Sequence, residues 1–179
     1  HPSSAWSARP RTGSTAAHST VVIDGHDSSE VWGSFRVARR ARPHDVRVKF
    51  ERDKQHASAR HDGYRRLPGR PVHARSLSLQ RNGLLIEDAI EGNFEHAQSR
   101  FHFHPGVSVE VNAGGQRGAC HLPDGSAITW HAEGSRATRV EASTWHPAFG
   151  VVMPNSCLVL DWGTRRCAFQ VHWNDAIAG

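Results

Sequence analysis

The chain has 179 residues, which is enough for one domain with a hydrophobic core and marginal for two. Apolar residues make up 37% of it, and no run approaches the roughly 20 apolar residues that a membrane helix needs. The formal net charge of +5 comes almost entirely from arginine, since Lys49 and Lys54 are the only lysines. Arginine favours bidentate contacts with carboxylate, sulfate or phosphate, so the charge indicates either a polyanionic partner or an ordinary solvated surface.

Short segments of alternating apolar and polar residues recur along the chain, with turn residues between them and almost no helical periodicity. Residues 1–13, rich in Ser, Arg and Pro, are predicted to be a flexible N-terminal stub, and residues 14–179 the folded domain. The predicted strands cover residues 20–23, 32–41, 45–51, 71–80, 84–90, 98–103, 107–111, 119–122, 127–131, 139–143, 151–153, 156–161 and 167–173. The sequence therefore predicts an all-β fold, an antiparallel β-sandwich of about twelve short strands with little or no helix.

Two local patterns support this prediction. Val46, Val48 and Phe50 alternate with charged residues, as expected of a strand with one dry face. Asn82 and Gly83 form the strongest hairpin signal in the chain.

The cysteines are too few for a disulfide scaffold. Cys157 and Cys167 flank residues 161–164, which are predicted to form a hairpin turn, so the two could face each other on neighbouring strands. Two buried thiols are the favoured interpretation and a disulfide is the alternative. Cys120 would remain unpaired under either interpretation.

The order of residues near the start of the domain carries a family resemblance. His18, Ser19 and Thr20 lead into an apolar strand that ends in Asp24 and Gly25. This opening resembles that of the heparinase II/III-like C-terminal domain, and the resemblance extends over roughly residues 12–173. Further similar segments are residues 27–37, 39–41, 61–67, 72–75 and 143–150.

The resemblance implies that this chain is the C-terminal domain of a polysaccharide lyase, which cleaves uronic-acid-containing acidic polysaccharide by β-elimination. In that family the active site lies between the β domain and an N-terminal α/α toroid, which supplies an Asn, a His and a catalytic Tyr. None of these toroid residues can be matched in the 179 residues, so the isolated chain is expected to be inactive. The resemblance also implies a periplasmic or secreted enzyme, although residues 1–10 show no signal-peptide pattern.

β-Elimination beside a uronate needs a group that neutralises the carboxylate, a base and an acid. By the resemblance, His18 matches a family histidine that transfers a proton or holds the substrate carboxylate; a histidine bound to backbone at a strand end is the alternative. Tyr64 is the second catalytic candidate, on a predicted turn that presents side chains, with His61 and Arg65 as neighbouring substrate-binding candidates. The alternative for Tyr64 is a packed side chain with its hydroxyl on backbone.

A second basic and aromatic cluster gives the remaining substrate-binding candidates, Trp32, Arg36 and Arg40. On a strand, Arg36 and Arg40 share one face, which could pair with an acidic sugar while Trp32 stacks on it. An exposed or inter-domain surface is the alternative.

Zinc is the one cofactor that the sequence suggests. The resemblance implies that some members hold zinc in this domain through two histidines and an aspartate, but these ligands cannot be assigned one by one. His102 and His104 are candidates because they share one strand face while Phe101 and Phe103 share the other. His61 and His73 are further candidates, since each lies in a family-like segment, and surface or hydrogen-bonded histidines are the alternative.

Three other classes of protein are alternatives. A non-catalytic carbohydrate-binding module would suit six tryptophans on a β-sandwich. A cupin would explain the His-x-His strand, but Glu110 and His131 lie at the wrong spacing for its motifs. Nucleic-acid binding has no motif to support it.

Overall fold

The computed structural model describes residues 14–32, 36–39 and 41–174, and for residues 30–32 and 36–39 it describes the backbone. One 3-10 turn at Thr15–Ala17 precedes the strands. The strands are β1 (Val21–Ile23), β2 (Glu30–Trp32), β3 (Arg36–Arg39), β4 (Pro43–Phe50), β5 (Lys54–His61), β6 (Val72–Gln80), β7 (Gly83–Glu91), β8 (Ala97–His102), β9 (Ser108–Val111), β10 (Arg117–His121), β11 (Ala127–Glu133), β12 (Ser135–Trp145), β13 (Met153–Trp162) and β14 (Arg166–His172). Within the described residues, no helix has the length and apolar character needed to cross a membrane.

The described strands form two large antiparallel sheets and one short hairpin. The smaller sheet has the order β1-β8-β13-β12, and the larger has the order β4-β5-β6-β7-β14-β11-β10-β9. Among the described strands, β2 and β3 pair with each other and with no third strand. This arrangement confirms the predicted all-β antiparallel sandwich.

The core lies between the two large sheets, where alternate residues of each strand point inward. The smaller sheet contributes Phe101, Leu158 and Leu160, which are at most 6% exposed, and the larger contributes Trp130 and Phe169. The rings of Phe101 and Phe169 stack across the interface with centroids 4.2 Å apart. The predicted alternation at residues 101–104 therefore places the phenylalanines inward.

The larger sheet is wider than the smaller one, and part of its inner face stays uncovered. Inward-facing side chains of β4 and β6 remain exposed, and Phe50 is 77% exposed. The register places them beside Ile86 of β7, which packs against the core. We call this group the apolar strip; it consists of Val46, Val48, Phe50, Leu77 and Leu79.

Several predicted boundaries differ from the structure. The single strand predicted over residues 32–41 is the β2–β3 hairpin, and the strands predicted at 151–153 and 156–161 are one strand, β13. Strand β5 was not predicted because it contains no large apolar residue and lacks the alternating pattern. Its backbone is nevertheless paired on both sides, by β4 and by β6.

The turn predicted at residues 161–164 is not a hairpin. Strand β13 belongs to the smaller sheet and β14 to the larger, so this segment crosses from one layer to the other. Cys157 and Cys167 thus lie in different sheets, and all three cysteines are free and buried. The favoured interpretation of buried thiols is confirmed. By contrast, the Asn82–Gly83 signal correctly marks the β6–β7 hairpin, in which Gln80 pairs with Gly83.

Gly118 gives a test of the packing beneath Trp130. A Cβ atom at Gly118 would overlap the carbonyl oxygen of Glu110 and lie 2.6 Å or less from ring atoms of Trp130. We expect Gly118→Ala to lower the free energy of unfolding by about 1–3 kcal/mol, as overpacking does. Denaturant unfolding would measure it. Gly114→Ala is the matched control, because nothing lies within 4 Å of a Cβ there; equal stability of the two variants would contradict this packing.

Candidate functional site

The candidate site lies on the outer face of the smaller sheet, away from the core. The register of β8, β13 and β12 sets Arg100 beside Val159 and Arg139, and sets His102 beside Cys157 and Glu141. Charged side chains therefore occupy one end of this face. His102, Ser143 and Trp145 follow toward the other end.

A chain of ion pairs holds the charged end together. Arg100 donates from Nη2 to Glu141 at 2.6 Å, and Arg139 donates from Nε to Glu141 at 2.8 Å and also pairs with Asp161. Burial alone would raise the pKa of Glu141, but the hydrogen bond and charge of Arg100 outweigh it, so the pKa lies below its ordinary value. The carboxylate is therefore a stable counterion for the half-buried face.

The same face anchors the segment that carries His18. The carbonyl oxygen of Ala16 accepts hydrogen bonds from Arg100 Nε at 3.2 Å and from His102 Nε2 at 3.0 Å. On the other side of His18, Ser19 Oγ accepts from the backbone N–H of His102 at 3.0 Å. The carbonyl of Ser19 accepts from Arg75 Nη1 at 2.6 Å. The backbone is thus fixed on both sides of His18.

His18 itself is exposed at the wall of a cleft of about 430 Å³. The cleft brings together side chains from the 3-10 turn, β8 and the β12–β13 hairpin. Its lining residues are Ala17, His18, His102, Ser143, Thr144, Trp145, His146 and Asn155. Imidazole, hydroxyl, amide and indole groups therefore meet around the exposed His18 and His146, as in sites that orient a small ligand through a few placed polar groups.

His102 has a fixed tautomer. Because Nε2 contacts a carbonyl oxygen, it must carry the proton, and Nδ1 is then an acceptor for the Ser143 hydroxyl at 3.3 Å. Burial lowers the pKa of His102, and the nearby charge of Arg100 acts in the same direction. His102 is therefore a neutral positioning residue for the segment before His18.

A second, buried polar cluster supports the segment from inside the sandwich. Asp88 on β7 accepts from His73 Nε2 at 2.7 Å and from Arg75 Nε and Nη2 at 2.7 and 2.9 Å. His73 Nδ1 lies 3.0 Å from His61 Nε2. Arg75 is the link between this cluster and the site, since the same guanidinium also holds Ser19.

The electrostatics of the cluster follow from burial and charge pairing. Burial alone would raise the pKa of Asp88, but hydrogen bonds from His73 and Arg75 lower it below the ordinary value. Burial, and then the neighbouring His73, lower the pKa of His61 to about 4. At neutral pH the cluster therefore contains an ionised Asp88, a charged Arg75 and an uncharged His61.

The structure places Tyr64 in the core. Its side chain is 0% exposed and its hydroxyl donates to the carbonyl of Val21 at 2.6 Å. Burial raises the pKa of the phenol. This corrects the expectation that a turn presents Tyr64 at a surface, and the alternative, a packed tyrosine bound to backbone, describes its position.

Of the other predicted substrate-binding residues, the structure describes the side chains of His61 and Arg65, and neither lines the cleft of His18. His61 faces the buried cluster, while Arg65 is exposed on the turn beside Tyr64. Trp32 and Arg36 lie on β2 and β3, where only the backbone is described. Arg40 lies outside the described residues.

The zinc candidates do not form a ligand set. His73 uses both ring nitrogens, toward His61 and Asp88, and Arg75 occupies both oxygens of that carboxylate. His102 also uses both nitrogens, and His104 contacts the carbonyl of Pro105. In the described ranges no three His, Cys, Asp or Glu side chains gather around one point.

Sequence reasoning missed Arg75, Asp88, Arg100 and Trp145 as parts of the site or its support. The pairing of Arg75 with Asp88 could have been found from the sequence. A two-residue turn after Gln80 fixes the register of β6 and β7, and this register sets Arg75 opposite Asp88.

Comparison with known proteins identifies the family. The model of the family "Heparinase II/III-like, C-terminal" matches residues 6–174, and the chain belongs to this family. The resemblance drawn from the sequence is thereby confirmed. No match was found among curated protein sequences.

Solved structures show the same fold. Heparan sulfate lyase HepC from Pedobacter heparinus superposes with a TM-score of 0.71 at 14% identity, and a heparinase III gene product with 0.69 at 14%. A further heparinase III gives 0.65 at 10% identity. Each comparison covers 89% of this chain but only 24% of the other, so the chain spans about a quarter of the length of these proteins.

Asp88 tests the buried cluster. Asp88→Asn would leave Arg75 without its counterion, and we expect the free energy of unfolding at pH 7 to fall by about 3 kcal/mol. Because the pKa of Asp88 is lowered in the folded protein, the unfolded chain binds more protons there, and the stabilisation is present above pH about 4 and lost below it. The difference between the wild type and Asp88→Asn should therefore shrink in acid.

Denaturant unfolding between pH 3 and 7 would measure this effect. Glu87→Gln is the control, because Glu87 is the adjacent residue of β7 and faces the other side of the sheet, where it contacts Ser76. An Asp88→Asn variant as stable as the wild type at pH 7 would rule out the role assigned to the cluster.

Proposed function

We propose that this chain is the C-terminal domain of a polysaccharide lyase that cleaves uronic-acid-containing polysaccharide by β-elimination. In this proposal His18 either transfers a proton or holds the substrate carboxylate. The observation that carries it is the exposed His18 imidazole at a polar cleft, between the hydrogen-bonded backbone carbonyls of Ala16 and Ser19. Membership of the heparinase II/III-like family and the lyases among the similar structures support it.

The chemistry explains why this arrangement suits the reaction. A proton alpha to a carboxylate is poorly acidic, so the base must be positioned before the reaction and the developing charge must be stabilised. Imidazole titrates near neutral pH and can act as base or acid. Fixing Ala16 and Ser19 restricts where the His18 ring can move. Ser143, Thr144 and His146 add groups that can bind sugar hydroxyls or a carboxylate.

We further propose that a preceding α/α toroid domain of the same polypeptide completes this cleft, and that the parent enzyme acts in the periplasm or outside the cell. The tip of the β12–β13 hairpin supports the first part, because it is apolar and continuous with the cleft residues Trp145 and His146. Phe149 is fully exposed there, and Val151 and Val152 are 43% and 58% exposed. Exposed apolar groups beside an open cleft are typical of a surface that another domain covers.

His18 gives the direct test of the lyase proposal. In the full-length enzyme, we expect His18→Ala to lower kcat by about 10²–10⁴-fold, the usual contribution of a proton-transfer group, while the melting temperature stays unchanged. Formation of unsaturated uronate products, followed by absorbance, would measure it. His121→Ala is the control, because His121 lies on β10 in the other sheet.

Unchanged turnover of His18→Ala would remove this residue from the mechanism. If the full-length protein binds acidic polysaccharide but forms no unsaturated product, the chain is better explained as a non-catalytic carbohydrate-binding module.

Phe149 tests the position of the second domain. We expect Phe149→Ser to destabilise the full-length protein by about 2 kcal/mol, through lost apolar burial, and to leave the 179-residue chain unchanged. Denaturant unfolding of both proteins would measure this. Phe50→Ser is the matched control, since Phe50 is similarly exposed but lies on the apolar strip. An effect at Phe50 and none at Phe149 would place the second domain elsewhere.

A further inference from the structure

Trp145 lies at the surface, unlike the two tryptophans of the core. Trp130 and Trp162 are 2% and 5% exposed and pack in the core, whereas Trp145 is 38% exposed at the end of β12. Its side chain lies on the outer face of the smaller sheet and lines the cleft of His18. A large apolar ring is therefore left in contact with solvent at the edge of a polar site.

The indole contacts a neighbouring ring, and its backbone belongs to a paired strand. The ring of His104 lies against it with centroids 5.0 Å apart and a tilt of 55°. The strand β12 pairs with β13 through to Trp145, which is opposite Met153. A rigid, partly exposed ring is a flat apolar surface whose ordering on ligand binding costs little conformational entropy.

The groups around Trp145 indicate the chemistry of a ligand. Thr144 and His146 are joined by a 3.1 Å hydrogen bond, and Ser143 contacts the ring of His102. Hydroxyl and imidazole groups beside an aromatic plane match a sugar ring, which has equatorial hydroxyls at its rim and an apolar C–H face. A flat apolar surface with a few placed polar groups is how proteins orient such ligands.

We propose that the exposed face of Trp145 is a stacking platform for a sugar ring of the glycan, adjacent to the residue that reacts at His18. This inference deepens the proposed function and rests on it for the presence of a glycan in the cleft. Stacking is made equally in the ground state and the transition state, so Trp145 contributes to binding rather than to the chemical step. It is a substrate-binding residue, distinct in role from His18.

Kinetics of the full-length enzyme test the proposal. We expect Trp145→Ala to raise KM about tenfold with kcat within about twofold of the wild type, and Trp145→Phe to recover most of the loss because a smaller ring still stacks. Trp173→Ala is the control, because Trp173 lies beyond β14 and its indole N–H donates to the carbonyl of Arg81. An unchanged KM for Trp145→Ala, or a loss of kcat alone, would overturn the proposal.

A direct binding measurement separates this proposal from the lyase proposal. Calorimetric titration of the full-length protein with a heparan sulfate tetrasaccharide should give an about tenfold weaker Kd for Trp145→Ala, and little change for the control Trp173→Ala. If the wild type forms no unsaturated product but Trp145→Ala still weakens binding, the lyase proposal fails and the stacking platform stands. If Trp145→Ala lowers the melting temperature of the full-length protein but leaves Kd unchanged, Trp145 is a domain contact and the platform is excluded.

Discussion

The pairing of Asp88 with Arg75 and His73 is the interaction on which the candidate site depends. An ionised carboxylate that is 3% exposed is strongly unfavourable unless its charge and lone pairs are matched. Arg75 meets that requirement with two donors and uses a third to hold Ser19. The residue that neutralises the buried charge is therefore the one that links the interior to the segment of His18.

This link also explains why the site is at the surface while its support is inside. The outer face of the smaller sheet contributes Arg100 and His102, which bind the carbonyl of Ala16. The inner face of the larger sheet contributes Arg75, which binds the carbonyl of Ser19 on the other side of His18. A segment with only a single 3-10 turn could not hold a side chain in place by its own hydrogen bonds. Hydrogen bonds from both sheets therefore fix the backbone of this segment, as expected of a functional loop on a rigid scaffold.

The sequence predicted the features that local patterns determine. It did not predict the contacts between segments that are distant in the chain. The all-β class, the Asn82–Gly83 hairpin and the opposite faces of Phe101 and His102 followed from alternation and turn chemistry. The burial of Tyr64 did not, because it depends on packing against Val21, 43 residues away. Similarly, nothing local to residue 145 indicates that it shares a cleft with His18, since the β12–β13 hairpin and the 3-10 turn meet only in the folded sheet.

The uncovered apolar strip on β4 and β6 has a consequence for the domain in solution. Strand β4 is also the edge of the eight-stranded sheet, and every residue of it is exposed. This edge of the sheet therefore has backbone groups without a neighbouring strand, and the apolar strip beside it is exposed. Two molecules can meet there edge to edge or face to face, and Arg47 and Lys49 place like charges that oppose such self-association. The charges of Arg47 and Lys49 make any self-association at this edge dependent on salt.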